Sequence, residues 1–277
     1  MSERDEERLI VGGAEQLVQP ATRRRFLRLL GVGGSIVLLP SVFAACGDDD
    51  PTGVQSPPPP PPPPTPASAI ALDLRTDVGI VSFAFVLEQL EAAFYTAVVG
   101  AANFGMLFNA SEQEILTDIR NHEVIHREFF KAALTGTAIA SQSVAINATT
   151  LATILGSRAN ILNAARRFED LGVAAYNGAG KYLTNVGNLL VAGKIVSVEA
   201  RHAAVIRDLL APSGADQNRA FAGDDIVDAS GLDVKLEPQP VLTAVGATNI
   251  TTTAITISNG SPNGTANVTP DRFPTNP

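Results

Sequence analysis

Apolar residues recur at three- and four-residue intervals through the middle of the chain, from about residue 73 to residue 210. This is the period of an α-helix with one buried face, so the pattern predicts long helices. No proline occurs between Pro66 and Pro212, as uninterrupted helices require. The four predicted helices cover residues 74–100, 111–134, 150–184 and 188–210. The fold class is therefore expected to be all-α.

The connections between the predicted helices indicate how they pack. Short segments join the first helix to the second and the third to the fourth, so each pair is expected to form an antiparallel hairpin. Ser111 and Glu114 have the spacing of a capping box at the start of the second helix. Between Leu134 and Thr150 lie fifteen residues, which can extend to about 50 Å. That length permits a crossover along a four-helix bundle whose two hairpins are related by a pseudo-two-fold axis.

The two ends of the chain differ in composition from this helical part. Residues 1–46 are interpreted as an export signal and residues 47–72 as an acidic, proline-rich linker. The helical bundle is assigned to residues 73–212, and residues 213–277 to an irregular C-terminal extension rich in Gly, Asp, Pro, Thr and Asn. Within that extension the β-branched stretch 250–258 predicts one short strand.

The N-terminal segment has the pattern of a twin-arginine export signal, TRRRFLR, with Arg23 and Arg24 as the arginine pair. The apolar stretch 29–45 follows, and it is shorter than the roughly 20 residues of a spanning helix. It ends in FAAC, which resembles a bacterial lipobox, so Cys46 is expected to be acylated and to become the mature N-terminus. The alternatives are an uncleaved signal anchor and a lone buried thiol. The expected location is a membrane-anchored lipoprotein facing the periplasm or the cell exterior, with the membrane and the export machinery as partners.

The linker contains eight consecutive prolines, Pro57–Pro64. Such a run adopts the polyproline II conformation, which rises about 3.1 Å per residue and is stiff. It is therefore expected to be a spacer, and a ligand for a proline-binding module is the alternative.

The charge and the cysteine count exclude two classes of protein. The formal net charge is −8 and the isoelectric point is about 4.9, so no basic surface is expected to meet nucleic-acid phosphates. Cys46 is the only cysteine, which excludes an intrachain disulfide.

One pattern of polar residues occurs twice on the predicted helices. It consists of a Glu seven residues before a Tyr, followed on the next helix by Glu-x-x-His. The two copies are Glu88, Tyr95, Glu123 and His126, and Glu169, Tyr176, Glu199 and His202. Residues three or seven apart share a helix face, and neighbouring positions on these faces are apolar or small. Each half is therefore expected to direct two carboxylates and one imidazole into the core.

This set of side chains predicts a site for two metal ions. A buried, unpaired carboxylate costs several kcal/mol, and four together repel one another. Two divalent cations balance four carboxylates, with neutral histidines completing the ligand shells, and this donor set suits Fe or Mn. The alternative is a core of salt bridges and hydrogen bonds that binds no metal. The two tyrosines are expected to bond carboxylates beside the ligands rather than to take part in redox chemistry.

Glu91 adds a further carboxylate on nearly the same face as Glu88, and its counterpart in the second half is Gly172. It is interpreted as a ligand in place of Glu88, as a base beside the ligands, or as a partner for an arginine. The shared spacing to Tyr95 favours Glu88 as the ligand.

Residues 122–126, HEVIH, also fit the zinc metalloprotease pattern HExxH. That chemistry needs a third ligand, and the remaining histidine, His202, already belongs to the repeat. A protease is therefore the remote alternative, and His122 is expected to be a surface imidazole or one beside the ligands.

These motifs resemble the ferritin-like superfamily, whose members bind two metal ions through Glu and Glu-x-x-His on four helices. The sequences LEQLEAAFY and VEARHA resemble exported ferritin-like proteins of the desiccation-related branch, over residues 73–212. The resemblance implies a four-helix bundle, iron or manganese, and oxygen or peroxide chemistry. It implies that Glu123 and Glu199 bridge both metals. The implied ligands are Glu88, Glu123, His126, Glu169, Glu199 and His202. A 24-subunit storage cage is not expected, because a lipid anchor and a spacer fit poorly with one.

Two functions are consistent with these observations. The first is a redox protein, an oxidoreductase of the ferroxidase kind, in which iron is oxidised by O₂ or peroxide and the cell envelope is protected from stress. The second is a non-enzymatic binding or stress protein of the envelope whose bundle is stabilised by metal. The sequence leaves the metal, the oxidant and the oligomeric state open.

Overall fold

The computed structural model describes residues 69–211 and 220–258. The chain divides into two units, residues 1–66 and residues 67–277, and the described residues all belong to the second. The predicted export signal, with Arg23, Arg24 and Cys46, and the proline run lie outside the described residues.

The described part of the chain is mostly helical, which confirms the predicted all-α class. Two 3₁₀ turns, Ala138–Ser141 and Gly180–Tyr182, join some of the helices. Two short strands, β1 (Ile70–Leu72) and β2 (Ile255–Ile257), pair in parallel. The helices are α1 (Asp77–Val99), α2 (Phe104–Leu107), α3 (Ala110–Ala133), α4 (Ala148–Ile154), α5 (Arg158–Ala179), α6 (Val186–Leu210) and α7 (Pro238–Thr248).

The four long helices α1, α3, α5 and α6 form a bundle of two hairpins. Helix α1 packs along α3 and α5 packs along α6, as the short connections predict. The two hairpins meet with α1 and α5 antiparallel, since Glu88 lies opposite Tyr176 and Tyr95 lies opposite Glu169.

The connection between α3 and α5 crosses the length of the bundle. Arg158 at the start of α5 donates a 3.1 Å hydrogen bond from Nε to Glu112 at the start of α3. The two helices therefore begin at the same end, which confirms the predicted crossover. At the other end Asp77, in the first turn of α1, accepts hydrogen bonds from the backbone of Thr184 and Asn185 just before α6.

The start of α3 differs from the predicted capping box at Ser111 and Glu114. The side chain of Asn109 accepts a hydrogen bond from the Glu112 backbone, and the Glu112 carboxylate accepts one from the Asn109 backbone. Asparagine caps helices as well as serine does, and the pair 109 and 112 has the same spacing. Ser111 therefore lies inside the helix, which begins one residue earlier than predicted.

The third predicted helix, over residues 150–184, is not continuous. Residues 155–157 divide it between α4 and α5. The Ser157 side chain accepts a hydrogen bond from the backbone of Asn160 and so caps the start of α5. The helix ends at Ala179 because the chain tightens there into a 3₁₀ turn.

The C-terminal extension is more regular than expected in its described residues, 220–258. It contains α7, which buries Val241, Leu242 and Val245, and β2, which confirms the predicted short strand. Its partner β1 lies in the last residues of the segment assigned to the linker. The extension therefore packs against the bundle and is not simply irregular.

Helix α1 forms the centre of the core, with most of its residues buried. Among the described helices, it alone is long and apolar enough to cross a membrane by length and composition, and most of it is buried inside the bundle. Its burial accounts for that composition, because a helix that is apolar all round belongs in a core.

Candidate metal centre

The four glutamates of the repeated motif lie together in the middle of the bundle. Their side chains come from four different helices: Glu88 from α1, Glu123 from α3, Glu169 from α5 and Glu199 from α6. Each is 0 % exposed. Acidic residues are almost never fully buried unless they are paired, so four in one core require a compensating charge.

The two histidines of the motif lie on the same helices as two of these glutamates. His126 Nδ1 is 3.0 Å from Glu199 Oε1 and 3.3 Å from Glu88 Oε2. His202 Nδ1 is 2.8 Å from Glu123 Oε1 and 3.5 Å from Glu169 Oε2. The structure therefore brings all six predicted ligand residues into one cluster. That they bind metal stays a prediction.

The cluster contains two groups that could hold a metal ion, each with its ligand atoms within 4.8 Å of one another. Glu123 and Glu199 belong to both groups. One group is completed by Glu88 and His126, the other by Glu169 and His202. Shared carboxylates between two such groups are the arrangement expected of a two-metal site in a helix bundle.

The donor atoms themselves fit cations. Buried polar atoms in proteins almost always make a hydrogen bond, yet eight nitrogen and oxygen atoms of this cluster lie close to one another without the geometry of a hydrogen bond. They point towards one another, and all of them have lone pairs to offer when His is neutral. These atoms are Oε2 of Glu88, both Oε of Glu123, Nδ1 of His126, Oε2 of Glu169, both Oε of Glu199 and Nδ1 of His202.

By themselves these acids repel one another, and their pKa values separate. Burial raises the pKa of Glu88 to about 7, although His126 and Tyr176 contact it. Burial and the neighbouring carboxylates raise the pKa of Glu199 well above its usual range, and burial raises that of Glu169. Burial and mutual repulsion therefore favour the protonated forms of these three acids over their charged forms in the absence of cations.

The remaining members of the cluster are shifted towards their charged forms. Burial opposes the charge of Glu123, but His126 and His202 beside it outweigh burial and lower its pKa to about 2. Burial also opposes charge on the imidazoles, and the surrounding carboxylates outweigh it. The pKa of His126 is raised to about 12 and that of His202 to about 10. Protons on the imidazoles thus compete with metal for the same carboxylates.

The two tyrosines bond carboxylates, as expected, but across the two halves of the repeat. Tyr95 donates a 2.6 Å hydrogen bond to Glu169, and Tyr176 donates one to Glu88. Each bond occupies Oε1 and leaves Oε2 directed into the cluster. The tyrosines therefore hold two of the four carboxylates in place from the side away from the candidate ligand atoms.

Glu91 contributes a fifth carboxylate to the core and is 4 % exposed. A Cβ atom at Gly172 would lie 3.1 Å from Glu91 Oε1 and 3.6 Å from Glu199 Oε2. The glycine at the pseudo-equivalent position therefore leaves room for Glu91. Burial and four neighbouring carboxylates raise its pKa well above the usual range.

His122 lies on the surface of α3 and contacts the outer side of His202. Its Nδ1 is 3.0 Å from His202 Nε2, the contact expected of an imidazole beside a ligand. The candidate metal groups among the described residues include Glu123 and His126 but not His122. This geometry disfavours the HExxH interpretation, since a zinc protease needs both histidines on one ion.

Arg207, which is 6 % exposed on α6, was not among the residues with a predicted role. It donates two hydrogen bonds to Asp170 on α5 and two to Asp225 in the C-terminal segment. Paired bonds from one guanidinium are strong and directional, so this residue ties three segments together. The available signal in the sequence was a charged residue directly after the apolar run 203–206.

Residues 76–212 match the family model described as a ferritin-like domain. The match covers the bundle from the start of α1 to the end of α6 and includes all six candidate ligands. No curated protein matches this chain.

Proposed function

We propose that this protein, whose residues 76–212 match the ferritin-like domain family, is a di-metal carboxylate protein that holds two iron or manganese ions and oxidises Fe(II) with O₂ or peroxide. The observation that carries the proposal is the pair of overlapping ligand groups that share Glu123 and Glu199. The sequences LEQLEAAFY and VEARHA further support placing the domain in the desiccation-related branch.

Six side chains would hold the ions. Glu88 and His126 would complete one position, Glu169 and His202 the other, and Glu123 and Glu199 would take part in both. Iron or manganese bound there supplies one-electron redox chemistry towards oxygen or peroxide. The overall reaction with peroxide oxidises two Fe(II), and one H₂O₂ takes up the two electrons and two protons to give two waters.

The protein's own residues would neutralise the charge of the ions, orient the ligands and enclose the site. Four carboxylates offset the charge of two divalent cations, so the loaded core avoids the cost of buried unpaired charge. Tyr95 and Tyr176 fix the orientation of Glu169 and Glu88 through hydrogen bonds. The complete burial of the four glutamates keeps bulk water away and strengthens the electrostatic interactions inside.

The test is metal content followed by activity on the full chain. Mass spectrometry of purified protein after loading with Fe(II) is expected to give two ions per chain. Glu123→Gln and Glu199→Gln keep the shape of the side chain but remove a shared ligand. Each is expected to lose at least one ion and to oxidise Fe(II) at least about tenfold more slowly, since even partners of ligands are worth 10–100-fold in affinity or activity.

Glu128→Gln is the matched control, because Glu128 lies on the same helix as Glu123 but is partly exposed and paired with Arg127. It is expected to bind metal and oxidise iron like the parent. Fe(II) oxidation at the parental rate in both Glu123→Gln and Glu199→Gln would rule out the proposed reaction.

A second function is favoured by the closure of the site. Every candidate carboxylate is 0 % exposed, which suits an ion that is permanently held and stabilises the bundle. This non-enzymatic envelope or stress protein would show bound metal and a fall in melting temperature on chelation, but no turnover. Sustained oxidation of Fe(II) beyond two equivalents per chain would favour the enzyme over the non-enzymatic protein.

The proposal includes export and anchoring. The twin-arginine motif with Arg23 and Arg24 supports translocation of a folded, metal-loaded protein, and FAAC supports acylation of Cys46. The polyproline run would then hold the domain away from the membrane, where it protects the envelope from iron and peroxide.

A further inference from the structure

The two imidazoles of the candidate metal centre have different surroundings on their outer sides. His202 presents Nδ1 to Glu123 and Glu169 and presents Nε2 to His122, 3.0 Å away. The planes of the His122 and His202 rings differ by 7°. The lone pair of one nitrogen and the N–H of the other can therefore point at each other in nearly parallel rings.

This contact selects one tautomer of His202. A neutral imidazole carries its proton on one nitrogen and offers a lone pair on the other. If Glu123, Glu169 and His202 held a cation, His202 would offer it the lone pair of Nδ1, which faces the two carboxylates, and the proton would then lie on Nε2. There it donates to Nδ1 of His122, whose own proton then lies on Nε2. Partners of this kind orient a metal-binding histidine and raise its basicity.

The other half of the repeat has no equivalent. The position that corresponds to His122, one residue before the Glu of Glu-x-x-His, is Val198. Valine cannot accept a hydrogen bond. Within the described residues, no hydrogen bond to Nε2 of His126 is found, whereas Nδ1 of His126 faces Glu88 and Glu199. The two halves of the repeat therefore have the same candidate ligands, but only His202 has a hydrogen-bond partner for its Nε2 atom.

We propose that His122 is a positioning residue that fixes His202 for metal binding, so that the cation position of Glu169 and His202 is the tighter of the two and fills first. The inference rests on the proposed function, since it concerns the order in which the same site is loaded. It adds a role for the one histidine that the repeated motif does not use.

The experiment is a titration of the metal-free full chain with Mn(II), using competition with a chelator to obtain two stepwise binding constants. The parent is expected to bind two ions with different affinities. His122→Ala is expected to weaken the tighter step by about 10–100-fold and to leave the weaker step within about threefold. His122→Gln keeps an acceptor oxygen and is expected to recover most of the affinity.

The matched control is Val198→Ala, which truncates the pseudo-equivalent side chain without removing a hydrogen bond. It is expected to leave both binding constants within about threefold of the parental values. Circular dichroism of each variant checks the fold, and His122 is exposed, so its replacement leaves the core packing intact.

A second readout does not depend on the variants. In the zinc-loaded parent, the Nε2 proton of His202 is expected to give a downfield NMR signal that exchanges slowly with water, and His126 is expected to give none. Equal binding constants in the parent, unchanged constants in His122→Ala, or a rapidly exchanging His202 proton would each overturn the inference while leaving the two-metal site intact. A parent that binds no divalent cation would overturn the proposed function as well.

Discussion

Tyr95 on α1 donates its 2.6 Å hydrogen bond to Glu169 on α5, not to Glu88 on its own helix. The other tyrosine of the repeat, Tyr176, bonds Glu88 in return. The two halves of the repeat are thus linked by a reciprocal exchange of tyrosine contacts. The same two hydrogen bonds therefore stabilise the interface between the hairpins and orient two candidate ligands.

Replacing Tyr95 by Phe is expected to lower both stability and metal affinity. The change leaves Oε1 of Glu169 buried without a donor, which costs about 1–3 kcal/mol of unfolding free energy. The carboxylate also loses its fixed orientation, so Mn(II) is expected to bind about tenfold or more weakly. Chemical denaturation and Mn(II) titration measure the two effects.

Tyr182→Phe provides the comparison. Tyr182 donates a 2.6 Å hydrogen bond to Glu237, away from the cluster. Its loss is expected to lower stability modestly and to leave Mn(II) affinity unchanged. Equal metal affinity in Tyr95→Phe and the parent would show that the tyrosine only stabilises the fold.

The faces of the helices could be predicted from the sequence, but the partners across them could not. The seven-residue spacing of Glu88 and Tyr95 placed both on the buried side of one helix, as the structure has them. Which carboxylate Tyr95 bonds depends on how α1 and α5 pack, and helix periodicity carries no such information. For the same reason His122 could be predicted to lie beside the ligands, but its contact with His202 could not be predicted.

The predicted start of α3 was wrong because two possible helix caps lie within a few residues of each other. Asn109 and Ser111 are both good caps with an acid three residues later, and their cap preferences are too similar to decide between them. The pairing of β1 with β2 joins segments far apart in the chain, so composition alone gave a short strand without its partner.

The stability of the metal-free protein is expected to fall as pH rises from 5 to 8. The pKa of Glu88 is raised from 4.5 to about 7 in the folded state, so its contribution is present below pH 4.5 and is lost as pH rises through 7. The pKa of His202 is raised from 6.5 to about 10, so its contribution is lost from pH 6.5 upward. Glu123 has the opposite sign, but its contribution is lost only as pH falls below 4.5.

Thermal denaturation of metal-free and Mn(II)-loaded protein across this pH range measures the effect. The loaded protein is expected to depend less on pH, because cations take the place of the protons. Mn(II) affinity is expected to rise with pH, since the ions compete with those protons. A metal-free melting temperature that rises between pH 5 and 8 would contradict the cause assigned to these pKa shifts.

Acylation of Cys46 is expected to place the protein in the membrane fraction of a bacterial host. A thioether-linked lipid at this position requires the thiol, which the hydroxyl of Cys46→Ser cannot replace. Labelled palmitate is expected to enter the parent and to be absent from the variant, which should fractionate as soluble protein or as uncleaved precursor.

Replacing Arg23 and Arg24 by Lys tests the export route separately, and its expected result is retention in the cytoplasm.

The docking of the C-terminal segment on the bundle depends on Gly178. The backbone of Leu236 donates a 2.9 Å hydrogen bond to Ala174 O, and a Cβ atom at Gly178 would lie 1.8 Å from Leu236 O. Gly178→Ala is therefore expected to displace this segment and to lower the free energy of unfolding. The loss is expected to outweigh the gain of about 0.5–1 kcal/mol that alanine normally has over glycine inside a helix.

Gly246→Ala is the control, because nothing lies within 4 Å of a Cβ atom at this position on α7. It is expected to be neutral or stabilising by up to about 1 kcal/mol. Chemical denaturation gives both free energies, and hydrogen exchange of residues 238–248 reports whether α7 has detached. If Gly178→Ala were as stable as Gly246→Ala, the close approach of the two backbones would not be needed for the segment to dock. In that case the burial of Val241 and Val245 would suffice to hold α7 on the bundle.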